Sequence, residues 1–162
     1  MLKNRIPKSK AGLPMAIPYH ALIYPEDRQS SRAFREARGS AAFAVVAHRG
    51  ASAYCPENTM AAFRAAIAMK ADMVELDVQL SADGEVVVFH DENISRCTDG
   101  RGRIADYPFV RLRKLDAGGW FHKKFSGERI PALTEVLALC KNRIAVNIEV
   151  KTEAVTDAVS GG

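Results

Sequence analysis

Glu75 and Asp77 stand two apart inside MVELDVQL, residues 73–80, an octet whose other members are mostly apolar. In a strand, residues two apart share a face. Two carboxylates held side by side in a core are costly unless something neutralises them. Glu149 and Lys151 repeat the same spacing in AVNIEVK. Three carboxylates turned inward from two strands suit a hard divalent cation with oxygen ligands, so Mg2+ or Ca2+ is the expected cofactor. The competing reading is structural: Glu75 and Asp77 pair with Arg or Lys and serve only to join strands. Recurrence of the pattern at Glu149 and Lys151 favours the cation.

His48 and His90 each follow an apolar run, and each has a charged neighbour, Arg49 and Asp91. A lone histidine at a strand end is usually a surface group. Two at equivalent ends, beside a cation cluster, have the chemistry of a general acid and base. Arg49 and Lys151 add fixed positive charge. Together these groups suit phosphate-ester chemistry, in which cations offset charge on phosphoryl oxygens and imidazoles move protons. His20 and His122 lie outside these runs and are read as non-catalytic.

The elements that must position these groups follow a βα rhythm from residue 43 onward. FAVVAHRG is a continuous apolar run and predicts a fully buried parallel strand. PENTMAAFRAAIAMK predicts a helix capped by Asn58 or Thr59, with Met60, Phe63 and Ile67 on one face. MVELDVQL is the second strand. SADGE carries an Asp-Gly turn into a third, VVVFHD, whose orientation the sequence leaves open. Residues 92–130 are irregular and too long for a simple connector, with a short helix expected over 109–115. PALTEVLALCKN predicts a helix with Thr134 as cap and Val136, Leu137, Leu139 and Cys140 on the apolar side. AVNIEVK is the fourth strand. Polar groups gathered at the C-terminal ends of several strands are the signature of a TIM barrel. A doubly wound sheet would instead carry a G-x-G-x-x-G loop, which is absent.

The formal charge of +4 is unevenly spread. Residues 1–40 hold 8 Lys/Arg against 3 Asp/Glu, and residues 41–162 hold 15 against 16. The basic character is a leader with four prolines and one short helical stretch at 28–38. It is expected to be a poorly ordered extension, with Met15 as an alternative start within it and residues 41–162 as the folded domain. No aromatic-basic interleaving accompanies the charge, so no nucleic-acid partner is expected. Cys55, Cys97 and Cys140 match neither a zinc site nor a redox pair, and their odd count suggests free thiols in a reducing compartment. The longest apolar run, 41–47, is far too short to span a membrane, and no secretory signal is recognised. The expectation is a cytoplasmic protein.

The strings VVAHRGASAYCPENTMAAFRAAI, VELDVQLSADGEVVVFHD, TDGRG, RIPALTEVL and NIEVK, in this order and spacing, resemble glycerophosphodiester phosphodiesterases from about residue 44 to 151. The resemblance implies an α/β fold, a TIM (β/α)8 barrel of the PLC-like phosphodiesterase type. It implies hydrolysis of a small-molecule glycerophosphodiester to an alcohol and glycerol 3-phosphate. Position by position, it makes Glu75, Asp77 and Glu149 the metal ligands. His48 and His90 become the acid–base pair, and Arg49 and Lys151 hold the phosphate. It further implies that the substrate's own glycerol hydroxyl attacks first and that water then opens a cyclic phosphate. Glu57 and Asn58 of PENT are assigned to the helix start rather than to the chemistry.

A (β/α)8 barrel takes roughly 250 residues and at least about 200. Only 122 of the 162 follow the leader, enough for about the first half, four strands. A half-barrel leaves strand edges and apolar surface uncovered, which favours self-association through the open edge. Two other readings therefore stand beside the hydrolase. One is a non-catalytic truncated remnant, or a half-barrel that needs a partner chain. The other is a related phospholipase D-like activity on lysophospholipid or sphingomyelin-type substrates.

Overall fold

The residues 73–80 form the central strand of the molecule. Val74, Leu76 and Val78 alternate along it with Glu75, Asp77 and Gln79, and all six are buried. Both faces of this strand are covered, as parallel sheets require. The computed structural model describes the backbone of Tyr19–Ile23 and residues 44–151. The strands are β1 (Tyr19–Ile23), β2 (Val46–His48), β3 (Met73–Leu80), β4 (Val86–Val88) and β5 (Ala145–Val150). The helices are α1 (Met60–Ala68), α2 (Phe109–Leu112) and α3 (Leu133–Cys140), with 3-10 turns at Ile94–Arg96, Ile104–Asp106 and Lys123–Phe125.

The sheet order is β1-β5-β3-β2, with β4 also paired to β3. β2 and β5 run parallel to β3, while β4 and β1 pair antiparallel with β3 and β5. The helices α1 and α3 lie between successive parallel strands in the chain and pack on one face of the ribbon, the repeat of a TIM barrel. Phe63 and Ala66 of α1 and Val136 and Cys140 of α3 bury against Val74, Leu76, Val78, Val146 and Ile148. Each large apolar side chain buried there stabilises the fold by roughly 1.5–3 kcal/mol. The opposite face of β3 and β5 carries Glu75, Asp77, Gln79, Asn147 and Glu149.

All four strands expected from residue 43 onward form. The third, β4, folds back on β3 as a hairpin through the Asp-Gly turn, so the parallel staves are β2, β3 and β5. Gly84 makes that turn possible with φ +82, and its N–H donates to the Ser81 carbonyl. Residues 92–130 are not a loose loop. Ile94, Cys97, Ile104, Leu112, Ala117 and Ile130 pack with Val87 and Phe89 into a second, smaller core. The helix expected over 109–115 is a single turn at Phe109–Leu112.

Two expectations are corrected. FAVVAHRG was to be a fully buried strand, yet Val45 and Val46 are 57% and 47% exposed. Among the described residues β2 pairs only with β3, so its outer edge has no cover. Thr134 does not cap α3. It lies in the first turn, exposed, and the Glu135 carboxylate accepts the Ala132 N–H at 2.9 Å instead. At α1 the cap is Thr59, which accepts from the Ala62 N–H.

Within the basic leader, Tyr19–Ile23 pair with β5 from Tyr19↔Val150 to Ile23↔Val146. The sequence pattern there predicts no strand. The rest of the leader, including the helical stretch at 28–38 and Met15, lies outside the described residues. No helix among the described residues is long and apolar enough to cross a membrane.

Candidate active site

Parallel pairing of β3 with β5 puts Asp77 level with Glu149 and Glu75 level with Asn147. Residues level on neighbouring strands point to the same face. One carboxylate oxygen from each of Glu75, Asp77 and Glu149 therefore falls within 4.8 Å of the others. Asp77 is 0% exposed and Glu75 5%. Burial raises the Glu75 pKa, and the charges of Asp77 and Glu149 push it the same way.

Protein cations neutralise part of this charge. The Lys151 ammonium lies 2.8 Å from Asp77 Oδ1 and 2.5 Å from Glu149 Oε1. Burial disfavours the charge on Lys151, but these two carboxylates outweigh it and its pKa is raised. Arg49 Nε lies 3.4 Å from Asp77 Oδ2. So Asp77 has the ionic partners that the structural reading asked for. Glu75 does not. Its Oε2 accepts the Arg49 backbone N–H at 3.0 Å and lies 3.8 Å from His48 Nε2. Its Oε1 is buried with no hydrogen-bond partner, and so is Oδ1 of Asn147, its register partner. Buried oxygens left unpaired beside an acidic cluster fit a cation taking oxygen ligands. The donor set is all carboxylate and amide oxygen, which suits Mg2+ or Ca2+ better than zinc.

Arg49 is placed by an unusual backbone. It has φ +56 in the turn after β2, and Gly50 follows with φ +79. A Cβ on Gly50 would stand 2.7 Å from Ala62 Cβ, so glycine is what lets the turn close onto α1. This aims the Arg49 N–H at Glu75 and its guanidinium at Asp77 and Glu57. His48, in register with Glu75 on the uncovered edge strand, has a 64% exposed side chain.

His90 comes from the loop after β4. Its Nδ1 lies 2.5 Å from Asp91 Oδ1. Asp91 has its pKa lowered to about 2, first by the hydrogen bond from Arg96 and, against some burial, by that of His90. An ionised carboxylate can only accept, so in this contact Nδ1 is the donor and Nε2 lies outside it. Gln79, on the same face of β3 as Glu75 and Asp77, fastens this loop. Its Nε2 donates to the carbonyls of Phe89, His90 and Asp91 at 3.0, 3.0 and 2.8 Å.

The structure thus brings His48, Arg49, Glu75, Asp77, Glu149 and Lys151 together on one face of β2, β3 and β5, and places His90 in the loop after β4, which Gln79 ties to β3. It also adds residues that the sequence reading missed or gave only a local role. Asn58 is 2% exposed and does more than start a helix: its Nδ2 donates to Asp77 Oδ2 at 2.9 Å. Its φ of +56 is a conformation asparagine tolerates. Glu57 binds Arg49 Nη1 at 2.9 Å and also Arg96. The signal for both was their place in a Pro-Glu-Asn-Thr turn beside the HRG run. Gln79 and Asn147 could have been found as the remaining polar residues at i, i+2 positions of the same strands.

Residues 48–160 match the family described as the glycerophosphoryl diester phosphodiesterase family. A glycerophosphodiester phosphodiesterase of Caldanaerobacter subterraneus is 51% identical over 109 residues, which are 67% of this chain and 45% of the relative. Human glycerophosphodiester phosphodiesterase 1 is 39% identical over 128 residues, 77% of this chain and 39% of the relative. The glycerophosphodiester phosphodiesterase of Agrobacterium tumefaciens superposes with a TM-score of 0.66 at 42% identity, covering 67% of this chain and 47% of the other. A phosphodiesterase of Oleispira antarctica, solved with the product sn-glycerol-3-phosphate, gives the same TM-score and identity, covering 67% and 44%. The chain spans less than half the length of each of these relatives.

Proposed function

The chain belongs to the glycerophosphoryl diester phosphodiesterase family, and from that premise we propose that it hydrolyses a glycerophosphodiester to an alcohol and glycerol 3-phosphate. The observation that carries the reading is the cluster of Glu75, Asp77 and Glu149 with His48, Arg49 and Lys151 against it on one face of the parallel strands, with His90 held by Asp91 in the adjoining loop. Glu75, Asp77 and Glu149 would hold Mg2+ or Ca2+, which when bound supplies positive charge to the phosphoryl oxygens. Arg49 and Lys151 bind the phosphate. Both are now tied to carboxylates, so they stand already at the rim of the site.

His48 and His90 move the protons. One takes the proton from a glycerol hydroxyl as it attacks phosphorus, and the other protonates the oxygen of the departing alcohol. The cyclic phosphate so formed is opened by water with the two roles exchanged. Nε2 of His90 is available to serve because Asp91 holds the proton on Nδ1.

A second reading has an observation of its own. The outer edge of β2 carries exposed Val45 and Val46, next to His48. This favours a half-barrel that is inactive alone or works only with a partner chain. Release of glycerol 3-phosphate from glycerophosphocholine, with and without EDTA, separates the readings. The phosphodiesterase reading expects release that chelator abolishes and added Mg2+ or Ca2+ restores. Release that ignores chelator would overturn the cation assignment. No release from glycerophosphocholine, a lysophospholipid or sphingomyelin would favour the half-barrel.

A further inference from the structure

Arg96 lies in the small second core region, 39 residues along the chain from Glu57, yet its guanidinium holds two carboxylates at once. Nε and Nη2 donate to Asp91 Oδ2 and Oδ1 at 2.5 and 3.0 Å. Nη1 and Nη2 donate to Glu57 Oε2 and Oε1 at 3.0 and 2.7 Å. Each of these carboxylates has a second partner. Asp91 Oδ1 takes His90 Nδ1, and Glu57 Oε1 takes Arg49 Nη1 at 2.9 Å.

We propose that Arg96 is a positioning residue that locks the loop carrying His90 to the turn carrying Arg49, setting the orientation of both through Asp91 and Glu57. The inference rests on the reading of His90 and Arg49 as groups of the active site. Arg96 touches neither of them directly, and no hydrogen bond links it to the acidic cluster on β3 and β5.

Three features distinguish this from an ordinary surface ion pair, which adds little to stability. First, both contacts are two-pronged, so the fork fixes the plane of each carboxylate as well as its distance. Second, the chain folds to present the fork: Ile94–Arg96 form a 3-10 turn capped by the Asn93 side chain, with Ile94 buried. Third, both carboxylates are shared with a residue of the site. The Arg96 side chain is 46% exposed, but Glu57 and Asp91 are 14% and 26% exposed, so the paired oxygens lie inward. Burial works against ionisation of Glu57, and the hydrogen bonds of Arg96 and then Arg49 outweigh it, leaving its pKa lowered. An Asp91 that kept its charge but lost its clamp would be free to turn away from Nδ1. The His90 ring could then change tautomer and angle.

The test is nitrogen NMR of the histidine rings in the full chain, with His90→Gln used to assign the His90 signals. Wild type is expected to show His90 protonated at Nδ1 when neutral. Arg96→Met is expected to move His90 towards the Nε2-protonated form. Arg96→Lys, which keeps the charge but not the fork, is expected to restore the wild-type signal only in part. Arg103→Met, which removes looser pairs with Glu92 and Asp106 at 3.4 and 3.5 Å, is the control and is expected to leave His90 unchanged. A folded Arg96→Met with a wild-type His90 spectrum would overturn the proposal. If that variant does not fold, Arg96→Lys decides: a spectrum indistinguishable from wild type overturns it.

In the glycerophosphocholine assay, Arg96→Met is expected to lower kcat about tenfold or more, as loss of a supporting partner typically does. A wild-type chain that releases no glycerol 3-phosphate would count against the proposed function. The His90 spectra would still decide the role of Arg96.

Discussion

Asp91 and Asn58 show how single residues serve the site without touching a substrate. Asp91 has a pKa of about 2 against an ordinary 3.8, chiefly because Arg96 donates to it. A depressed acid stabilises the fold above its unfolded pKa, and that contribution is lost as pH falls through the folded value. The Asp91 clamp should therefore hold above about pH 4 and fail towards pH 2. Carbon NMR titration of the Asp91 carboxyl should give a midpoint near 2. A midpoint at 3.8 or above would refute the clamp. Asn58 donates to a carboxylate that is 0% exposed, so Asn58→Ala removes that hydrogen bond, leaving buried Asp77 Oδ2 with only the longer Arg49 Nε contact at 3.4 Å, and puts a strained alanine at φ +56. The expected cost is about 2 kcal/mol in denaturant unfolding. A loss below about 0.5 kcal/mol, the usual range for surface substitutions, would mean that the amide does not matter.

At the scale of elements, β3 was legible because its pattern is local. Alternation gave the strand, and carboxylates at alternate positions marked its acidic face before any contact was known. The helices α1 and α3 were legible for the same reason, to within a capping residue. The pieces that escaped depend on distant partners. Gln79 is one polar residue among others until the loop of His90 folds over it and presents three carbonyls. Arg96 reads as one more charge in an irregular stretch until Glu57 arrives from the turn before α1. The apolar run of β2 signals a strand, but its burial depends on which neighbour lies beside it. The turn after β2 offers the sharpest test of an element. Gly50→Ala puts a Cβ at 2.7 Å from Ala62 Cβ with φ +79, and should destabilise by about 1–3 kcal/mol. Thermal unfolding at wild-type temperature would show that the turn does not need glycine.

For the whole molecule, the parallel strands β2, β3 and β5 have two outer edges in the described residues. β1 lies on β5, and β2 is uncovered. Strand edges with exposed apolar side chains invite pairing with another chain. Sedimentation should show concentration-dependent association that Val46→Lys weakens, and a wild-type chain monomeric at every concentration would refute it. Glu75, Asp77 and Glu149 face one another within 4.8 Å, and the proposed reason is a cation held between them. Calorimetric titration of Ca2+ or Mg2+ into the chelator-treated chain tests it most directly. One cation per chain is expected, with Glu75→Gln weakening binding at least about tenfold, or ~1.4 kcal/mol. A wild-type chain that binds no cation, or a Glu75→Gln chain that binds it equally well, would rule out a cation site at this cluster.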